Sequence, residues 1–356
     1  MQGHVGEEGV RAHADSHAEI APVRVGREVR ESVEAETLSP GATLAHGGGN
    51  RGVPEEPDPD RTCFERDRDR IIHSTAFRRL AGKTQVVVYP RDHQRTRLTH
   101  ALEVAQVATA IARGIGANAT LAEAMALGHD CGHGPGGHAS EDAFSPFIPG
   151  GYDHGPWGAD VVLAPLNLCL ETYDAIRNHS WSRPAPATPE GEIVSWADRI
   201  AYCCHDLEDA LGVGIVTLAD IPREVAERAG TRRSAQLRTF ITSVIESTQA
   251  MGQVSMGVEE AAALADLRQF NYDRIYMRPE SLAQSQAVIE VLQALVEWYI
   301  AHPSLLPSED ANNGGDNARR AVTYVAGMTD RFAFSQAESL MDWDMSRLPV
   351  GMGRGV

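Results

Sequence analysis

Apolar residues recur at three- and four-residue spacings along most of the chain from Phe64 onward. Ile71, Ile72, Ala76 and Leu80 form the first such series on a polar background, and predict a helix ending near Gly82. Ala101, Val104, Ala105, Ala108, Ile111 and Ala112 share one face of the next, with Thr99 as its cap and Gly114 and Gly116 at its end. Further helices are predicted over about 119–130, 154–164, 167–178, 190–210, 221–228, 232–250, 258–275, 280–301 and 315–343. The stretch at 280–301 carries Val288, Val291, Leu292, Leu295 and Tyr299 as its stripe. Only the segment around Val86, Val87 and Val88, followed by Pro90 and Asp92, has β character. The expected fold is all-α, with at most a short β-hairpin near residues 84–92, and no internal repeat.

Residues 1–62 lack this periodicity and hold the glycine and proline clusters Gly47-Gly48-Gly49, Pro54, Pro57 and Pro59. Such a segment cannot offset its ordering entropy alone, so it is expected to be a flexible arm that a neighbouring subunit orders from about residue 27. Residues 63–210 are expected to form the core, and residues 211–356 a helical part packed on the same domain.

Charge narrows the range of partners. The 356 residues include 32 Lys+Arg and 49 Asp+Glu, a net charge of −17, which argues against general affinity for nucleic acid or an anionic membrane. A groove for single-stranded DNA stays open. The five cysteines form no CxxC pair and two of them, Cys203 and Cys204, are adjacent, which fits a reducing cytoplasm. No uncharged apolar run reaches about 18 residues, and the first 35 residues have no apolar leader core, so the expectation is a cytoplasmic protein without a membrane span.

Eight of the fourteen histidines fall between His93 and His205. The densest group runs from His129-Asp130 through His133 and His138 to Glu141. Apolar Ala124 to Leu127 lead straight into His129-Asp130, which places that pair at the end of a buried helix, where a charge needs a partner or a metal. His100 opens the preceding helix. Asp198, flanked by Trp196, Ala197, Ile200 and Ala201, is a second carboxylate expected to be buried. Two imidazoles with two carboxylates make a mixed nitrogen and oxygen set that suits Mn, Fe, Ni, Co or Zn better than a thiolate site does. A salt bridge to a nearby arginine is the alternative for Asp198.

Between Arg78 and Arg97 lie six cations, including Lys83 and Arg95, against the single acid Asp92, an excess of +5 just before His100. In so acidic a chain this island points to a multiply charged anion, most economically phosphates. The helix around Asp198 adds Arg199, Tyr202 and Asp206, and steps of four put Tyr202 and Asp206 on the Asp198 face. Tyr202 could stack under a sugar, Asp206 accept from its hydroxyl, and Arg199 reach phosphate. The alternative is a core tyrosine with an exposed Arg–Asp pair.

The stretches Arg66 to Ser74, Phe77 to Leu80, Lys83 to Val86, Asp92 to His100, Leu102 to Ala105, His129 to Glu141 and Ala197 to Asp206 resemble, in order, the HD-domain metal-dependent phosphohydrolases, and within them the deoxynucleoside triphosphate triphosphohydrolases. The likeness covers roughly residues 27–210. It implies an HD-type helical fold in which His100, His129, Asp130 and Asp198 hold a divalent metal, Mn2+ or Mg2+ foremost, with Fe, Co, Ni or Zn as further options. It implies catalytic roles for His138, Glu141 and His154. It places Arg97, Arg199, Tyr202, Asp206 and Gln85 against triphosphate, sugar or base, and Lys83, Arg95 and His133 are taken with them as substrate-binding. The implied reaction converts a dNTP and water to deoxynucleoside and inorganic triphosphate by attack at the α-phosphorus. Relatives of this kind are often homo-oligomers, a hexamer among them.

The chain departs from the family pattern in two places. Gly136 stands where a bulky residue is usual, and Gly155-Pro156-Trp157-Gly158 replaces a polar stretch. Beyond residue 210 the segment Phe270 to Tyr276 resembles a family segment, with Arg274 as a phosphate or effector contact. Two other functions keep the same residues: an HD phosphohydrolase acting on a different nucleotide, and a non-catalytic nucleotide sensor or single-strand-binding protein.

Overall fold

In chain order the helices are α1 (Arg27–Thr37), α2 (Cys63–His73), α3 (Thr75–Arg79), α4 (Arg97–Ile115), α5 (Ala119–Gly128), α6 (Ala139–Phe144), α7 (His154–Trp157) and α8 (Leu170–Asn178). They continue with α9 (Pro189–Gly212), α10 (Arg223–Ala229), α11 (Arg233–Met251), α12 (Val258–Asn271), α13 (Pro279–Ala301), α14 (Asn317–Ala326) and α15 (Asp330–Met341). The computed structural model describes residues 3–5, 9–86, 95–307 and 316–349. Among these, strand pairing is confined to β1 (His4–Val5) against β2 (Val10–Arg11), and to single bridges. The fold is all-α. Of the hairpin expected near 84–92, Thr84 forms one antiparallel bridge with Thr96, and residues 87–92 lie outside the described residues.

Local chemistry sets the helix ends, and in three places moves them from where periodicity put them. The first predicted helix breaks at Ser74, whose extended backbone ends α2 and whose hydroxyl accepts from the Phe77 amide to start α3. The α4 cap is Thr96, not Thr99: the two threonines accept each other's backbone amides reciprocally, so the helix starts at Arg97. The stretch predicted at 315–343 is two helices, because the Thr329 hydroxyl caps α15 afresh.

Two hydrophobic cores result. In the first, α4 packs against α5, α9 and α11, with α2 and α8 on the far side of α5. The second gathers α6 and the chain around Tyr152 and Trp157 onto α13, α14 and α15, through Phe144, Val288, Leu292 and Phe334 among others. The C-terminal part is thus divided, with α10 to α12 in the first core and α13 to α15 in the second.

Residues 27–62, assigned to the arm by their lack of periodicity, are fixed by polar contacts instead. The Glu190 carboxylate accepts from the Thr43 amide and hydroxyl and from the Asn118 amide. Glu34 accepts from the Ala45 amide and the Asn118 side chain. Arg51 pairs with Asp67 at 2.7 Å, and both side chains are fully buried. Arg51 also donates to the carbonyls of Gly48, Cys63 and Asn167, while the second Asp67 oxygen accepts from Cys169 N and Thr172 Oγ1. With every group satisfied, removing one partner strands the other. Asp67→Ala is therefore expected to lower unfolding free energy by about 3–5 kcal/mol, measured as a fall in the urea midpoint.

Candidate metal centre and active-site cavity

The end of α5 and the loop after it carry the chemistry. Gly132 sits where a β-carbon would come within 2.0 Å of the His154 carbonyl oxygen, so only glycine lets the loop pass against α7. Gly136, at φ +72°, faces Val288, which a β-carbon would approach to 2.5 Å. The second core occupies the space that a bulky residue would fill. Asp330 holds this loop from the opposite side, accepting from the Gly136 amide and from the amide and hydroxyl of Thr84.

His129 and Asp130 follow α5 directly and are buried, as are Arg97 and His100 at the start of α4. Asp130 Oδ2 takes a 2.7 Å ion pair from Arg97 and lies 3.9 Å from His100 Nε2. Its Oδ1 lies 3.4 Å from His129 Nε2 and 3.2 Å from His133 Nε2. From α9, Asp198 Oδ1 comes within 3.0 Å of His100 Nε2 and 3.6 Å of His129 Nε2. The four residues proposed from the sequence as a ligand set are thus brought together.

The donor set fits a cation. His129 Nδ1 donates to the Ala126 carbonyl at 2.6 Å, which leaves the Nε2 lone pair directed at the carboxylates, and that buried Nε2 has no hydrogen-bond partner. Burial alone would depress the imidazolium, yet Asp130 and Asp198 outweigh it and lift His129 to a pKa of about 9. Both carboxyls stay well below the usual range despite burial, Asp130 through His129 and Arg97, Asp198 through His100 and His129. The electrostatics favour positive charge among His100, His129 and Asp130, which form a group able to hold an ion, with Asp198 beside both histidines.

A second group adjoins it. On α6, Glu141 Oε1 lies 3.3 Å from His138 Nδ1 and 2.6 Å from His154 Nδ1. Burial raises its pKa, but the hydrogen bonds from the two histidines more than reverse this, and the carboxyl ends far below its ordinary value. His133 stacks on His154 with ring centroids 3.7 Å apart, and both its ring nitrogens lack hydrogen-bond partners. Sequence reasoning missed His179, just past α8. Its Nδ1 bonds to the Ile176 carbonyl, and its Nε2 is 3.0 Å from His154 Nε2. The two Nε2 atoms share a hydrogen bond, and Asp130, His154 and His179 form a further group able to hold a cation.

Both groups open on a cavity of about 370 Å³. Asp198, Tyr202 and Asp206 line it from one face of α9, as their four-residue steps require, with Arg199 beside them. Gln85 and Arg97 line it as well. Lys83 and Arg95 do not. Lys83 is buried behind the loop, donating to the carbonyls of His133 and Ala326, and burial lowers its pKa to about 8. Arg95 is claimed by Glu103, Glu208 and Asp209. Local charge excess could not show that these two cations were already engaged, Lys83 by carbonyls and Arg95 by carboxylates. Arg274 likewise faces Asp220 at 3.5 Å, and its neighbours Tyr272 and Tyr276 reach the cavity with Arg268. Trp157, in the departing stretch, packs in the second core under Arg319 and against Tyr152.

Two measurements follow from this geometry. Gly136→Ala places a side chain in the left-handed region and against Val288, so stability should fall by about 1–3 kcal/mol and recover in part in a Val288→Ala background. Burial raises the Asp206 carboxyl to about 6 from an ordinary 3.8, against the hydrogen bond from Tyr276. The folded chain therefore holds a proton that the unfolded chain releases. This favours folding below about pH 4 and is lost as pH rises through 6. Asp206→Asn should flatten the stability curve between those limits.

Comparison with known proteins places this arrangement. The HD domain model matches residues 97–203, and the phosphohydrolase-associated domain model matches residues 254–339. A deoxyguanosinetriphosphate triphosphohydrolase-like protein of Caldanaerobacter subterraneus is 39% identical over 86% of this chain and 93% of its own length. One from Clostridium perfringens is 37% identical over 87% of this chain and 96% of its own. A phosphohydrolase structure from Bacteroides thetaiotaomicron shares the fold, with a TM-score of 0.51 at 20% identity over 79% of this chain and 71% of that one. Among the described residues no helix is long and apolar enough to cross a membrane. With a buried His-Asp centre of this kind and relatives so alike over nearly their whole length, the chain belongs to the HD-domain phosphohydrolase family, in the branch of deoxyguanosinetriphosphate triphosphohydrolase-like proteins.

Proposed function

We propose that the chain is a metal-dependent dNTP triphosphohydrolase, which converts a dNTP and water to deoxynucleoside and inorganic triphosphate. One observation carries the reading: a single cavity joins His100, Asp130 and Asp198 of the two-imidazole, two-carboxylate set to three guanidinium groups, Arg97, Arg199 and Arg268, and to the polar side chains Tyr202, Asp206 and Tyr276. Arg199 and Arg268 carry no carboxylate partner among the described residues, and two such guanidiniums beside a cation site suit a chain of several phosphates better than a single one. The tyrosines and Asp206 offer a flat apolar face and hydrogen-bonding groups suited to a deoxyribose.

His100, His129, Asp130 and Asp198 would hold a divalent cation, Mn2+ or Mg2+ by their nitrogen and oxygen donors. Bound there, it would supply Lewis acidity, lowering the pKa of a water and offsetting charge on phosphoryl oxygens. The remaining work falls to the chain. Arg97, tied to Asp130, stands between the cation set and the phosphates, where a fixed guanidinium stabilises charge developing on phosphoryl oxygens. Glu141 holds His138 through Nδ1, leaving Nε2 for proton transfer. The same carboxylate orients His154, on which His133 stacks, so one acid organises three imidazoles.

Product analysis tests the reading. Purified protein with Mn2+ or Mg2+ is given each dNTP singly and all four together, and products are separated by ion exchange. Deoxynucleoside and tripolyphosphate are expected in equal amounts. Asp130→Asn should abolish turnover, and His138→Ala should reduce kcat by about 10²–10⁴-fold. Formation of nucleoside monophosphate and pyrophosphate, or no turnover with metal bound, would overturn it.

A further inference from the structure

Arg199 stands apart from the other arginines near the cavity. Arg97 is paired with Asp130 and Arg268 donates to the Tyr202 hydroxyl, whereas among the described residues no carboxylate lies within ion-pair distance of Arg199. What holds it is an aromatic plane. Its guanidinium carbon sits 3.5 Å from the ring centroid of Trp181. The indole is fixed in turn from two directions. Its Nε1–H donates to the Ser195 carbonyl at 3.1 Å, and its ring meets Trp196 edge-on at 4.8 Å. Trp181 is nevertheless 47% exposed and lines the cavity beside Arg199.

A carboxylate partner would neutralise Arg199 and occupy its N–H groups. A π face attracts the same cation through the ring quadrupole while leaving the in-plane N–H groups free to donate. We infer that Trp181 is a positioning residue that holds Arg199, with its terminal N–H donors open, for the polyphosphate chain of the substrate. The inference rests on the dNTP reading above for the substrate, and on the Trp181–Arg199 stack for the role.

The test uses the full-length protein with its metal and inorganic tripolyphosphate as probe, with affinity measured by titration calorimetry, alongside KM and kcat for a dNTP. Trp181→Leu should weaken tripolyphosphate binding by about 5- to 20-fold, and its loss in turnover should fall on KM more than on kcat. Trp181→Phe, which keeps a π face, should stay within about threefold of the wild type. Combined with Arg199→Gln, Trp181→Leu should add less than about twofold to the effect of Arg199→Gln alone. Wild-type affinity in Trp181→Leu, additive losses in the double variant, or Phe failing as badly as Leu together with a lowered melting temperature would each overturn the assignment. Tripolyphosphate binding with this pattern but without dNTP turnover would keep the role of Trp181 and discard the proposed activity. Absence of tripolyphosphate binding to the wild type would discard the role itself.

Discussion

Asp130 puts a negative charge where almost no water reaches, and much of the surrounding structure follows from that. An isolated carboxylate there would be prohibitively unstable, so each of its oxygens must be met. Arg97 meets one from the first turn of α4, while His129 and His133 approach the other from its own segment. This explains why α4 starts where it does: with Thr96 as cap, Arg97 and His100 fall on the buried side of the first turn. It also explains why a second carboxylate, Asp198, is tolerable only alongside imidazoles and a place for a cation.

The cavity lies where the two hydrophobic cores meet. His100, His129, Asp130 and Asp198 hang from helices of the first, whereas α6, which carries Glu141, is anchored in the second through Ala139, Ala143 and Phe144. Polar ties cross the boundary near the site, among them Lys83 to Ala326, Asp330 to Thr84, Asp330 to Gly136, and Tyr152 to Gly132. The groups suited to metal binding and those suited to proton transfer are therefore held by different parts of the chain. Their relative position depends on these buried hydrogen bonds together with the apolar contacts the cores share, Val162 packing against both and Gly136 against Val288.

Much of this was legible in the sequence because helical period and burial coincide. The α9 face could be read from its four-residue steps, and His129-Asp130 from the apolar run before it. What escaped has a common physical origin. Residues 27–62 show no period because Glu34, Glu190 and the Arg51–Asp67 pair order them, and polar ties across 11 or more residues leave no periodic trace. Lys83 and Arg95 looked like ligand-binding cations because local charge counting cannot see partners at Ala326 or Asp209. His179 had a signal in the histidine count, yet nothing in its own segment showed that α8 would turn it onto His154.

The bridge between Thr84 and Thr96 bears on how this part of the chain can vary. Asp330 grips Thr84, and the Arg97 amide donates to the Lys83 carbonyl, so both ends of the intervening stretch are fixed independently of what joins them. Lys83 and Thr84 are thus registered directly to the first turn of α4 and to α15, so a change at Asp330 is felt at Arg97 and at the carboxylate behind it. This part of the chain can vary least at Thr84, which is tied to both.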